Sequence, residues 1–226
     1  MKHPFLPAGL LGVLAFAVGM SMQKPLKGKH FEVPPHYPSN LLGLEFLPDT
    51  ASIEVFLGPA PTRQSKLEAL QTALKRDNFF ALSYTLFMLV LAIVGWTNTR
   101  KKVWLLMLLL ALLVGWADFQ ENEQTLLLLD NMGNPNAPQL LADMHQWVWI
   151  KSLGFAVLLI AVSTFLWTAG RVGRALSVLG TTAGLLGFLS LLWVGFVQFF
   201  GLLGLLLFFP LLVGYCFYYQ TPATRH

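Results

Sequence analysis

The sequence predicts an all-α integral membrane protein, a six-helix transmembrane bundle with a small extracytoplasmic cap of helical and extended segments. Three observations carry that prediction. Of 226 residues, 55% are hydrophobic and 12% are charged, about half the ~25% charge of a soluble domain, and the mean hydropathy is +0.61. The apolar residues gather into five long runs, one of them double. The charges then divide by sign: Asn98–Lys102 and Gly170–Arg174 carry only positive charge, while all eleven acidic residues fall on the opposite side. The net charge of +4 sits at loop ends rather than on one basic face, so no nucleic-acid partner is expected. One cysteine, Cys216, excludes a disulfide framework and a thiolate metal site.

A span needs roughly 20 apolar residues to cross about 30 Å of hydrocarbon. Residues 1–22 form the first span, a signal anchor behind Lys2 and His3, with Ala15-Phe16-Ala17 as the competing cleavage site. Residues 23–78 form the cap, and residues 79–226 a five-span bundle (79–96, 103–124, 147–168, 175–194 and 199–219). The last two spans come from one uncharged run, Ala175–Tyr218. As a single helix that run would measure about 66 Å, so it must fold back, near Val194–Phe199, where Trp193 and Gln198 suit an interface. Basic short loops mark the cytoplasmic side. Six spans then place both termini in the cytoplasm and predict a multi-pass protein of the plasma membrane, the inner membrane of a bacterium.

In the cap, His30–Ser39 is proline-rich and predicts extended chain. Asp49 or Thr50 caps a short helix through Leu57, which Gly58-Pro59-Ala60-Pro61 ends. Ser65-Lys66-Leu67-Glu68 has capping-box spacing, so a second helix is expected from Thr62 or Ser65. Its stripe of Leu67, Leu70, Ala73 and Leu74 runs on into the second span. Some fifty residues are too few for an independent core, so the segment should lie against the outer face.

The polar cluster is the main chemical signal. Asp118, Glu121 and Asn122 interrupt an apolar helix at i, i+3, i+4 and share one face. That helix continues to Asp130 and ends at Gly133, and the next opens at Asn136-Ala137-Pro138 with Asn as cap. A hairpin centred between Asn134 and Pro135 brings Asp118 and Lys151 to the same height, some 20–25 Å above the cytoplasmic boundary at 1.5 Å per residue. Asp77 arrives near that level, and Tyr84 lies about two turns deeper. A lone charge at helix centre costs about 2.5–3.5 kcal/mol on insertion scales and pairs inside the bundle. Asp118 with Lys151 is therefore the expected ion pair, with Glu121, Asn122, Asp77, Tyr84 and His145 around it as a ligand or relay cluster. The same pair also serves if it does no more than fix helix register and hold the cap.

The residues also carry a resemblance. Asp77-Asn78-Phe79-Phe80-Ala81-Leu82-Ser83-Tyr84 and Ala117-Asp118-Phe119-Gln120-Glu121-Asn122 resemble the D-x-x-F-x-x-x-Y and A-D-x-x-E-N membrane-helix motifs of a group of uncharacterised bacterial polytopic membrane proteins. Lys151 stands where those proteins often have a lysine. The resemblance covers roughly residues 41–159 and implies a shared scaffold and cluster without an assigned activity. Glu123 departs from it, since the group usually has an apolar residue there.

Gly180 and Gly184 form a GxxxG face for packing within the chain or, in the other reading, for a homo-oligomer. Pro210 should kink the last span. Trp96, Trp104, Trp147, Trp149, Trp167 and Trp193 mark span ends as an aromatic belt, with Trp116 deeper beside Asp118. Glu121, Glu123, Asp130, Asp143 and His145 lack a compact ligand loop, so no metal is expected, and no cofactor motif is present: neither a phosphate loop nor a zinc or nucleophile-elbow signature. The expected function is a non-enzymatic accessory or scaffold protein binding a membrane partner or membrane lipids through its outer face. A small proton-coupled carrier using the acids and Lys151 is the alternative, and a membrane enzyme acting on a lipid headgroup the third.

Overall fold

The computed structural model describes residues 3–32, 39–192 and 196–219, and for residues 190–192 and 196–202 the backbone alone. Every regular element among them is helical: α1 (Leu6–Met22), α2 (Asn40–Glu45), α3 (Thr50–Leu57), α4 (Ala60–Thr99), α5 (Val103–Asp130), α6 (Ala137–Leu166), α7 (Gly170–Leu192) and α8 (Phe196–Tyr218), with a 3-10 turn at Lys24–Leu26. Five helices are long and apolar enough to cross a membrane: α1, α4, α5, α6 and α7. By length and composition this is a multi-pass membrane protein. The apolar stretch of α8 described with side chains, Leu203–Tyr218, is shorter.

The long helices pack in chain order, α1 on α4, α4 on α5, α5 on α6, α6 on α7 and α7 on α8, and α8 returns to α1. The ring closes where Val213 and Phe217 of α8 lie against Gly12 and Gly9 of α1. Its two larger apolar cores lie towards opposite ends, with a smaller one of Ala15, Ala81, Tyr84 and Val114 besides. At the end remote from the cap, Phe5, Phe87, Trp104, Phe165, Leu212 and Tyr215 are buried together. At the cap end, Leu44, Leu47, Ile53 and Phe56 pack on Leu70 and Leu74 of α4, Leu128 of α5 and Met144 of α6. The cap therefore shares the bundle's core instead of owning one.

Local sequence explains the cap helices. Ser39 accepts a hydrogen bond from Leu42 N (3.2 Å) and opens α2, a helix the sequence reading did not anticipate. Asp49 accepts from Ser52 N (2.7 Å) and opens α3, and Gly58, at φ +74°, ends it. The next helix departs from expectation. α4 begins at Ala60 behind Pro59, with proline in its first turn, so Ser65 is interior and its hydroxyl accepts from Lys29 Nζ rather than capping. Proline needs no N–H partner in a first turn and arrives with helical φ, which lets the helix start early. It then runs unbroken for 40 residues.

Other boundaries also shift. α7 starts at Gly170 rather than 175, taking Arg171 and Arg174 into the helix, because Gly170 at φ +86° turns the chain tightly after α6. Asn136 precedes α6 without a side-chain capping bond. Trp104 is not part of an aromatic belt: it is fully buried, its indole N–H donating to Thr99 Oγ1 at 2.8 Å. Trp116 is 58% exposed and faces away from the neighbouring Asp118. Pro210 lies inside α8. The turn expected at 194–199, with Trp193 and Gln198, and most of the proline-rich stretch fall outside the residues described with side chains.

Candidate functional site

Two close approaches set the geometry of the cluster. One turn deeper than Asp118, Gly115 faces Thr85 of α4, and a Cβ there would lie 2.3 Å from Thr85 Oγ1. At the same depth on α6, Gly154 faces Val114, where a Cβ would lie 2.5 Å from the valine. Small residues let helix backbones approach without a driving hydrophobic force in lipid. With α4 and α6 drawn against α5, polar side chains one turn above can meet directly.

Lys151 of α6 is the centre. Its Nζ contacts Glu121 Oε2, and lies 3.3 Å from Asp118 Oδ1 and 3.5 Å from Glu45 Oε2. Asp118 also accepts from the Tyr84 hydroxyl (2.8 Å), and the Tyr84 ring is held by Phe80 and Phe155 at 5.2 Å each. Asn122 donates its amide to Asp77 Oδ2 (3.1 Å) and Asn78 Oδ1 (3.0 Å), which ties α5 to α4. Asp118 is 4% and Glu121 1% exposed. The amine thus joins two elements of the bundle to one of the cap, and the Tyr84 hydroxyl on Asp118 extends the network to α4.

Of the seven residues expected at the cluster, Asp118, Glu121, Lys151 and Tyr84 lie in this network. Asn122 and Asp77 form a second bonded pair between α5 and α4, without a contact to the amine. The seventh, His145, sits elsewhere: its ring lies by the backbone of Leu47, in the loop after α2. It lies six residues before Lys151, about 9 Å along the helix and off its face. Glu45 is the member that sequence reasoning missed. Its signal was a single acid within the apolar stretch Leu41–Leu47, a pattern that asks for a buried partner. Burial pushes the Glu45 carboxyl above its usual range, against the opposing pull of Lys151. Glu123 faces outward and is exposed.

Chemically the arrangement can hold a charge in place and bind protons. Three carboxylates touch one amine, so full ionisation would leave two negative charges in excess, which a low-dielectric site resists. Among the described residues no group of His, Cys, Asp and Glu could hold a metal ion. Asp130 instead accepts from Gln71 and Asp143 from Gln139. The glycine face of α7 is taken up within the chain: Gly180 lies against Ser163 and Phe208, and Gly184 against Ala156 and Ile160. Comparison with protein-family models, with curated proteins and with solved structures finds no match for this chain.

Proposed function

We propose that this protein is a non-enzymatic accessory protein of a bacterial inner membrane. In this reading it has six spans and cytoplasmic termini, and its capped outer face engages a membrane partner or lipid. The observation that carries the reading is the contact of Lys151 with Glu45 of the cap as well as with Asp118 and Glu121 of the bundle. A polar centre lidded by the protein's own segment suits a structural pin beneath the outer face better than it suits a substrate site. The motif resemblance around Asp77 and Asp118 supports a scaffold shared with other polytopic proteins. A homo-oligomer, if formed, needs a face other than Gly180 and Gly184.

One observation favours a second reading, a proton-coupled carrier. The carboxylates outnumber the amine, so the centre must hold protons or release them as its surroundings change. The two readings separate in one experiment on the full chain. The accessory reading expects Asp118→Asn with Lys151→Met to fold and to keep the same co-purifying lipids and proteins, identified by mass spectrometry after extraction in mild detergent. The carrier reading expects that variant to fold yet lose proton-driven uptake in proteoliposomes. Wild-type protein that retains no partner and no enriched lipid would overturn the accessory reading.

A further inference from the structure

Beside the cluster, on the face of α4 turned towards α1, lies an open hollow of about 460 Å³ lined by Val18, Ser21, Lys24, Arg76 and Phe79. It sits where both helices change character. The apolar run of α1 ends at Met22 and gives way to Gln23-Lys24, while on α4 Lys75-Arg76-Asp77-Asn78 gives way to the apolar run from Phe79. Arg76 donates through Nη1 to the Ser21 carbonyl (2.9 Å), which fixes one edge of the guanidinium and leaves its other N–H groups free to turn into the hollow. Lys24 stands exposed on the 3-10 turn. Among the described residues neither cation has a carboxylate within ion-pair distance. The nearest acid in sequence, Asp77, is buried and bound by Asn122 on another face of α4. Below the cations the wall is hydrocarbon, formed by Phe79, 66% exposed, and the half-buried Val18.

We infer that this hollow binds the phosphate of an anionic phospholipid, the acyl chains lying along Phe79 and Val18. Charge complementarity argues for the headgroup. A guanidinium held at one edge presents parallel donors to a phosphate, and a second cation opposite matches a headgroup of net negative charge. The apolar wall on the membrane side argues for lipid over free phosphate, which would gain nothing from it. The inference deepens the accessory reading, and rests on it for assigning this level to the outer leaflet.

The test uses full-length protein in mild detergent, titrated with phosphatidylglycerol or phosphatidylcholine and read by native mass spectrometry. Wild-type protein should retain phosphatidylglycerol preferentially. Arg76→Gln with Lys24→Gln should weaken that retention about tenfold or more, the scale of losing charged hydrogen bonds. Lys24→Gln alone, at an exposed position that cannot disturb packing, should weaken it less. Lys75→Gln removes the same charge next to Arg76 but off the hollow and should change retention less than about twofold, the scale of an exposed charge. Equal retention by the double variant, equal loss in Lys75→Gln, or displacement of the lipid by inorganic phosphate at similar concentration would each overturn the inference. In the first case, wild-type and variant protein still co-purifying with the same partner would leave the accessory reading standing.

Discussion

Both ends of the helix ring bury an apolar core, but only the end towards the cap adds a buried charge cluster to it. Towards the cap, Lys151, Asp118, Glu121, Glu45, Asn122 and Tyr84 hold α4, α5, α6 and α2 together through ion pairs and hydrogen bonds. At the remote end α5 and α6 meet through rings, joined there by Phe5 just before α1 and Tyr219 just after α8. Trp104 lies 4.6 Å from Phe165, Phe5 5.9 Å from Phe165 and 5.3 Å from Tyr219. Aromatic packing tolerates small shifts and is blind to pH. A buried charge cluster is unforgiving: each member must be matched, and removal of one strands the others. The difference teaches that apolar packing gives cohesion at both ends, while the charge cluster adds register and sensitivity to protons at one of them.

That contrast can be broken most forcefully at Lys151. Lys151→Met leaves buried carboxylates without their cation and should cost about 3–5 kcal/mol, measured as unfolding of the purified protein in detergent. Adding Asp118→Asn and Glu121→Gln to the same chain should recover most of that loss, because two of the three carboxylates on the amine go with it and only Glu45 remains. A full loss persisting in the triple variant would mean that the centre contributes by shape and not by charge. At the aromatic end, Gly95→Leu forces a side chain into Trp104, whose ring already lies 2.2 Å from where a Cβ would be. Overpacking of that kind costs about 1–3 kcal/mol, and here the cost should be the same at pH 5 and pH 8.

The acids of the cap sharpen the comparison through pH. Glu45 has its carboxyl raised by burial, so the folded cap binds a proton more tightly than the unfolded chain does. Its contribution is complete below the ordinary glutamate value and fades as pH rises through the raised one. Hydrogen exchange of α2 should therefore quicken with rising pH beyond the intrinsic rate increase, and Glu45→Gln should remove that excess. Asp49 has the opposite sign. The backbone hydrogen bond from Ser52 holds its carboxyl below the usual aspartate range, so its help is present above about 3.9 and is lost as pH falls through the lowered value. Asp49→Ala should produce the smallest effect of the series, fraying α3 alone, seen as faster exchange of the Ser52 amide with α2 unchanged.

Much of this organisation could be read from the chain. The hairpin of α5 and α6 was legible because Gly133 and Pro138 punctuate it, and symmetric counting from that corner put Asp118 level with Lys151. Face-sharing at i, i+3, i+4 placed Glu121 and Asn122 beside them. What was illegible depended on contacts distant in sequence. Glu45 lies over a hundred residues before Lys151, and no local pattern told which helix its cap would lie against. His145 was grouped by proximity along the chain, yet a helix turns by 100° per residue, and six residues carry it off the face of Lys151. Trp104 was assigned to a span end by position, which is correct, but burial there depends on Gly95 leaving room across α4. The start of α4 was missed because Ser65 offered a capping pattern where Pro61 had already set the helix in motion.

The unbroken course of α4 carries a mechanical consequence. At 1.5 Å per residue its 40 residues make a rod about 60 Å long, tied near its middle to α5 by the contacts of Tyr84 and Asp77. The same two helices are also tied by Gln71 to Asp130 towards the cap and by Thr99 to Trp104 at the far tip. With bonds near both tips and at the middle, α4 and α5 form one stiffened pair and not a rod on a single pivot. A pull on α4 near Pro59 is therefore shared with α5 along its length.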